Sequence, residues 1–132
     1  MNIFDLFPTG STSYSENDYI IDYEEHPYLV LISVSRGIEQ FTMMKDIMEK
    51  KYQGDWHSFE KMYINKIYGM LKKYDQNDPE SLEDAFRVDW DELENALLYM
   101  RNFFEDLEEY EKCQIIQEKY VALKDNIEID IY

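Results

Sequence analysis

The sequence predicts a mainly α-helical protein, a small helical bundle of about four to five helices. Apolar residues recur at helical spacing through most of the chain, and no Gly or Pro follows Pro79 to interrupt a helix in the second half. The chain has 132 residues, of which 45% are hydrophobic and 16% aromatic. That size and composition suffice for one hydrophobic core, so we expect residues 1–132 to form a single domain.

The first long helix is predicted over residues 27–52, where Pro27 suits the first helical position. The residues that would form its inward stripe recur at steps of three and four: Val30, Val34, Gly37, Phe41, Met44 and Met48. The run 29–34 is rich in β-branched residues and would also suit a buried strand. The helix is favoured, with Gly37 permitting the close approach of a neighbour.

Capping residues predict where the later helices begin. Asp55 can cap the second helix, which carries Lys61, Lys66, Lys72 and Lys73 away from its apolar stripe. Asp78 and Pro79 begin a short helix that ends near Arg87, and Asp89 caps a helix whose pattern continues to about Lys124 with one break near Glu111. The side chains expected to form the core are Phe41, Met48, Phe59, Tyr63, Ile67, Leu93, Leu97, Met100 and Phe104.

The two ends of the chain follow the helical pattern less clearly. Residues 1–18 are predicted to be an N-terminal arm and loop, because 9–18 are mostly turn-forming and small polar residues. A minor extended segment is an alternative at residues 19–34 or 127–132. The second of these alternates apolar and acidic side chains, as an extended end would.

Acidic residues are concentrated in two parts of the chain, whose net charge is −16. Residues 1–27 contain six acids and no base, residues 28–74 contain five acids and eight bases, and residues 75–132 contain eighteen acids and five bases. Such a charge repels nucleic acid and anionic membranes and attracts basic surfaces. It also exceeds the net charge of about 2–8 that keeps a small domain soluble.

Motifs for catalysis and for cofactors do not emerge from the sequence. The four glycines are isolated, so no phosphate-binding loop is predicted, and His26 and His57 lack metal-ligand spacing. Residues 75–80 resemble a calcium loop but lack its Gly and its bidentate Glu. Nearby acids should raise the pKa of the single cysteine, Cys113, which argues against a nucleophile. We therefore expect a cytoplasmic protein that is not an enzyme, without a cofactor, a metal or a membrane span.

Two groups of residues are the candidate partner-binding residues. Acids that fall off the apolar stripe between Trp90 and Leu107 should project outward, and tyrosines interleaved with acids suit the Lys and Arg side chains of a partner. We expect both groups to lie on one side of the fold as a continuous negative surface, although a merely solvated face is the alternative. The candidates are Asp18, Tyr19, Asp22, Tyr23, Glu24, Glu25, Asp91, Glu94, Tyr99, Glu105, Glu108 and Glu109.

In composition and size the chain resembles small acidic inhibitors of nucleic-acid enzymes. These include immunity proteins that neutralise nuclease toxins and phage-encoded nucleic-acid mimics such as anti-CRISPR or anti-restriction proteins. The resemblance implies an inhibitory binding protein that covers a basic, nucleic-acid-binding site on a partner such as a nuclease, without binding nucleic acid directly. The alternative is a helical adaptor or assembly protein with no inhibitory role, whose acidity serves solubility. The sequence leaves the oligomeric state open.

Overall fold

The computed structural model describes the backbone of residues 26–130 and the side chains of residues 26–126. Within that range the chain forms five α-helices: α1, Tyr28–Lys51; α2, Trp56–Lys72; α3, Pro79–Glu83; α4, Trp90–Asp106; and α5, Tyr110–Asp130. A 3-10 helix, Asp84–Arg87, follows α3 directly. The prediction of a mainly α-helical bundle is therefore confirmed.

The antiparallel pair α1 and α2 is held by one close approach. A Cβ atom at Gly37 would lie 2.9 Å from Cδ1 of Ile67, so a side chain at residue 37 would force the end of Ile67 to shift. The hydroxyl of Tyr63 donates a hydrogen bond of 3.1 Å to the Gly37 carbonyl in the same interface. Toward the other end of the pair, Lys45 and Glu60 form an ion pair of 3.0 Å. Gly37 thus has the role that its place in the stripe predicts.

Helix α4 lies against both α1 and α5, and so completes the core. Side chains on one stripe of α4 supply much of this contact: Leu93, Ala96, Leu97, Met100 and Phe104 are all buried. Polar contacts join α4 to α5, since Arg101 donates to the side chain of Gln117 at 2.7 Å and the thiol of Cys113 donates to the Arg101 carbonyl at 3.4 Å. The two helices therefore form an antiparallel hairpin.

The predicted caps are confirmed at three helices. The Asp55 carboxylate accepts from the backbone of His57 at 3.1 Å at the start of α2. At α3, Asp78 accepts from the backbone of Glu80 at 3.1 Å. Asp89 accepts from the backbone of Glu92 at 3.3 Å at α4. Each bond satisfies a backbone donor that has no partner within the first turn of a helix.

Two alternatives for extended structure are wrong where the structure describes them. Residues 28–34 are the first turns of α1, since their side chains pack on a helical stripe and not on one face of a sheet. Residues 127–130, which alternate apolar and acidic side chains, continue α5 to Asp130. No Gly or Pro ends that helix earlier, so short-range alternation is not enough to change its conformation. Residues 1–25 and 131–132 lie outside the described residues.

All nine predicted core residues are buried. The sequence stripe nevertheless missed a second buried side of α2, formed by Ile64, Tyr68 and Leu71. The ring of Tyr68 lies 5.3 Å from that of Phe104, so this side meets α4 while the Tyr63 side meets α1. A stripe shows which residues are apolar, but it does not show that two neighbours bury a helix from different directions.

A buried lysine fixes the end of α2 against α5. Lys119 donates from Nζ to the Tyr74 carbonyl and, at 2.8 Å, to the side chain of Gln76. Burial lowers the pKa of Lys119, and the charge of Asp75 opposes that shift. The Tyr74 hydroxyl in turn donates 2.8 Å to the Ser81 carbonyl, which ties the loop to α3. The loop after α2 is therefore positioned by α5 and not only by its own turn residues.

We expect Leu97→Ala to lower the free energy of unfolding by about 2–5 kcal/mol, because truncation of a fully buried leucine leaves a cavity in the core. Urea denaturation followed by circular dichroism measures this change. Val121→Ala is the control, since Val121 is 44% exposed and should alter stability little. Equal stability of the Leu97 variant and its parent would contradict the packing of α4.

Tyr63→Phe should lower the free energy of unfolding at pH 7 by about 1 kcal/mol, because it removes the hydrogen bond to the Gly37 carbonyl. Burial raises the pKa of Tyr63 from 10.0 to about 12. The folded state therefore holds this proton more tightly, and the stability that Tyr63 contributes falls as pH rises between those values. Phenylalanine cannot ionise, so the variant does not lose stability in this way. The difference in free energy of unfolding between the parent and the variant should therefore become smaller at alkaline pH.

Urea denaturation at pH 7 and pH 11 tests the Tyr63 prediction. Tyr110→Phe is the matched control, because the Tyr110 side chain is 62% exposed and that substitution should leave stability unchanged at pH 7. A deficit of the Tyr63 variant that stays the same or grows at pH 11 would show that the ionisation of Tyr63 does not limit alkaline stability.

Candidate partner-binding surface

The predicted acidic ridge of α4 is interrupted in its middle. Asp91 and Glu105 are exposed, as predicted, but they are fourteen residues apart and thus separated by about 21 Å along the helix. The exposed positions between them include Asn95 and Asn102, which carry no charge. The described part of the candidate surface is therefore two acidic ends of one helix and not one continuous acidic face.

Two of the candidate residues on α4 make contacts with neighbouring helices. Glu94 is half-buried and accepts a hydrogen bond of 2.7 Å from the hydroxyl of Tyr120 on α5. Tyr99 is half-buried too, with its ring 6.5 Å from that of Phe41. Burial raises the pKa of Tyr99, and the charge of Lys45 opposes that shift. The predictions that Glu94 projects outward and that Tyr99 edges an open surface are therefore wrong, because both positions lie at the borders between helices.

The N-terminal half of the predicted surface lies outside the described residues. It comprises Asp18, Tyr19, Asp22, Tyr23, Glu24 and Glu25. The prediction that this segment and residues 75–111 share one side of the fold thus stays a prediction.

The densest group of exposed acids surrounds the turn between α4 and α5. We call it the acidic corner, and its exposed members are Glu105, Asp106, Glu108, Tyr110 and Glu111. Tyr110 is 62% exposed, which makes it, among the tyrosines that the structure describes, the one that combines acidic neighbours with an open ring. Tyr110, Asp106 and Glu111 are not among the candidate residues predicted from the sequence. The signal that could have found them is the run of five acids within residues 105–111.

The backbone of the acidic corner is strained at Glu108. This residue has a φ of 60°, in the left-handed region that favours glycine. The backbone N–H of Glu108 donates to the Glu105 carbonyl at 2.9 Å, and that of Glu109 donates to the Phe104 carbonyl at 2.9 Å. These two bonds close the end of α4 in the Schellman arrangement, whose left-handed position is usually occupied by glycine. Here a charged side chain occupies it.

Two charges of the acidic corner are placed against the dipole of α4. Carboxylates are destabilising at the negative C-terminal end of a helix, where Lys, Arg or His is normally favoured. Glu105 and Asp106 lie in the last turn of α4, which contains no base. The local sequence therefore departs from two stabilising rules at one turn, and functional sites are where such departures are expected.

Lys112 anchors the acidic corner to α2. Its Nζ donates 3.1 Å to Glu109 and 2.6 Å to the side chain of Asn65, and it lies 4.9 Å from the centre of the Phe104 ring. Glu109 is consequently half-buried and paired, so the prediction that it projects outward is wrong. The pairing holds the turn in place, while the exposed acids beside it are presented from a fixed backbone.

The other acidic end of α4 lines a groove against α1. The groove has a volume of about 420 Å³, and Glu39, Asp89 and Glu92 contribute to its walls. Burial raises the pKa of Glu92, the nearby Glu39 carboxylate raises it further, and the charge of Arg36 opposes the shift. Two carboxylates this close repel each other when both are ionised. A cationic side chain entering the groove would relieve that repulsion.

The structure also bears on the reactivity of Cys113, on metal binding and on membrane insertion. Cys113 is half-buried. Burial raises the pKa of its thiol, and the charge of Glu105 raises it further, in the direction that the sequence predicts. Among the described residues, no group of three or more His, Cys, Asp or Glu side chains could hold a metal ion. Nor is any helix of residues 26–130 both long and apolar enough to cross a membrane.

No protein-family model, no curated protein and no solved structure matches this chain.

Glu108→Gly should raise the free energy of unfolding by about 1 kcal/mol, because glycine adopts the left-handed backbone of this turn without steric strain. Urea denaturation measures the change. Glu108→Gln is the matched control, since it removes the charge and keeps the strain, so it isolates the contribution of the backbone. A glycine variant no more stable than the glutamine variant would show that the turn at residue 108 is not strained.

Proposed function

We propose that the protein is an inhibitory binding protein whose acidic corner covers a basic site on a partner protein. The observation that carries this proposal is the left-handed Glu108, which places a carboxylate where glycine would stabilise the turn. Around it, Glu105 and Asp106 add exposed negative charge at the unfavourable C-terminal end of the α4 dipole, and Glu111 adds a further exposed carboxylate in the first turn of α5. Solubility alone does not require charge at a position where it destabilises the fold.

The chemistry of the acidic corner suits lysine and arginine side chains. Carboxylates accept charge-assisted hydrogen bonds from both, and the exposed ring of Tyr110 offers a face for a cation–π contact together with apolar area. Glu109, Lys112 and Asn65 hold the turn, so little ordering would be needed on binding. A fixed group of carboxylates can stand in for the phosphates that a basic nucleic-acid site would otherwise bind.

The overall charge supports a protein partner over a nucleic acid or a membrane. A net charge of −16 repels phosphate backbones and anionic lipid, but it accelerates association with a positively charged protein. The groove of Glu39 and Glu92 supplies a second place where a cationic side chain would be stabilised. A nuclease, or another enzyme with a basic nucleic-acid channel, has the complementary surface.

A second candidate function, a helical adaptor, is favoured by one apolar feature. Met43 is 72% exposed and Ile47 is 49% exposed, and they lie four residues apart on the same face of α1. Flexible methionine and isoleucine side chains suit an apolar helix or groove on a partner. Binding through this face would depend little on salt, whereas binding through the acidic corner would weaken steeply as salt rises.

Neutralising the acidic corner should slow association with the partner and weaken binding, mainly at low salt, because steering by opposite charge is lost. The variant combines Glu105→Gln, Asp106→Asn, Glu108→Gln and Glu111→Gln. It leaves Glu94 and Glu109 in place, since both make contacts within the fold. The partner is first captured from a cell extract and identified by mass spectrometry. Binding kinetics are then measured at 50 mM and 500 mM salt, together with inhibition of the partner's activity.

The control variant neutralises the same number of exposed acids elsewhere, with Asp46→Asn, Glu49→Gln, Glu80→Gln and Asp125→Asn. It has the same net charge as the first variant, so it separates the local surface from the general field. If both variants bind as the parent does, the acidic corner is a solvated face. If Met43→Ser with Ile47→Ser instead abolishes binding, the adaptor function replaces the inhibitory one.

A further inference from the structure

The outer face of α2 has a charge opposite to that of the whole protein. Lys61, Lys66 and Lys72 are exposed on the helix, and Lys73 is exposed at its C-terminal cap. The single acid of α2, Glu60, is buried in its ion pair with Lys45 and contributes no charge to this face. We call the exposed side of α2 between Lys61 and Lys73 the lysine face. The lysine face is positively charged, whereas the whole protein has a net charge of −16.

The lysine face has a centre that could receive another segment. Met62 is 50% exposed there, and apart from the chain neighbours and adjoining helix backbone of Gly69, no atom of the described residues lies within 4 Å of the position that its Cβ would occupy. Lys61, Lys72 and Lys73 form no ion pair with any side chain that the structure describes. Lys72 lies 5.8 Å from the centre of the Tyr68 ring, at the border of the face. The face thus combines the positive charges of Lys61, Lys72 and Lys73 with open, partly apolar surface.

One acidic segment of the same chain joins the fold close to this face. Residues 14–25 contain five acids and no base, and they also contain tyrosines and isoleucines. They connect to α1 through His26. Because Gly37 meets Ile67 and Lys45 meets Glu60, α1 and α2 are antiparallel and the start of α1 lies at the end of α2. The acidic segment therefore enters the fold at the end that carries Lys72 and Lys73.

The length of the acidic segment is sufficient to cover the lysine face. Twelve extended residues reach at most about 40 Å. The face from Lys61 to Lys73 measures about 18 Å, because each helical residue advances about 1.5 Å. A segment tethered this close is present at an effective concentration on the order of millimolar, so weak individual ion pairs would add up to occupancy. A second copy of the chain would instead have to overcome the repulsion between two proteins of net charge −16.

We propose that the lysine face binds the chain's own acidic segment, residues 14–25, through ion pairs with Lys61, Lys72 and Lys73. Apolar side chains of the segment cover Met62 and the open surface at Gly69. This docking keeps the positive face of α2 from attracting nucleic acid or other acidic proteins. The proposal does not depend on the function proposed for the acidic corner, because the two use different residues.

Zero-length cross-linking of the full-length protein tests the docking directly. A carbodiimide activates a carboxylate, and a lysine amine in contact with it then forms an amide bond as the carbodiimide leaves as a urea. Digestion and mass spectrometry identify the joined residues. We expect residues 16–25 to be joined to Lys61, Lys72 or Lys73 at least five times as often as to Lys50 or Lys51. These two control lysines are also exposed, but they lie at the far end of the 24-residue α1.

The cross-links are expected to fall several-fold in 1 M salt and in a variant with Lys72→Glu and Lys73→Glu. The control variant, with Lys50→Glu and Lys51→Glu, should retain them, and thermal unfolding by circular dichroism checks that both variants fold. Mixing ¹⁴N and ¹⁵N protein distinguishes links within a chain from links between chains. Equal linkage to the control lysines, or links that form mainly between chains, would overturn the proposal.

Discussion

The contact between α1 and α2 at Gly37 is the constraint on which the remaining packing depends. Helix α1 meets both α2 and α4, so its position sets where the other two can lie. Ile67 occupies the space that a side chain at residue 37 would need, and the Tyr63 hydroxyl bonds to the Gly37 carbonyl beside it. The close approach also brings Lys45 to Glu60, which removes the one acid of α2 from its outer face. Core geometry and surface charge are thus coupled at this interface.

Charge is segregated by helix in this protein. The outer face of α2 is basic, whereas both ends of α4 and the turn that follows it are acidic. Lys112 and Lys119 belong to α5. Lys112 bonds to Asn65 of α2, and Lys119 bonds to the Tyr74 carbonyl in the loop after α2. These two lysines therefore link α5 to α2 and to the loop that follows it, and their charge does little to offset the exposed carboxylates nearby.

The strained backbone at Glu108 is evidence for a function of the acidic corner that amino-acid composition alone does not provide. An acidic surface is common among soluble proteins, and each exposed carboxylate on a helix has little effect on stability. A carboxylate in the left-handed position of a helix end, next to further acids in the last turn, destabilises the fold by a local and identifiable mechanism. The proposed inhibitory function rests on this local departure from stabilising rules more than on the total charge.

The sequence by itself determined the helices and the core, because these follow from local chemistry. Caps such as Asp55 and Asp89 satisfy donors within three residues, and apolar spacing marks an inward stripe regardless of what covers it. Only the tertiary structure decided which acids are free. Glu94 shares the spacing of exposed residues, but α5 supplies Tyr120 as its partner, and this residue is distant along the chain. Lys112 is close to Glu109 in sequence, but its side chain is held by Asn65 of α2, and a one-helix pattern contains no information about such contacts between helices.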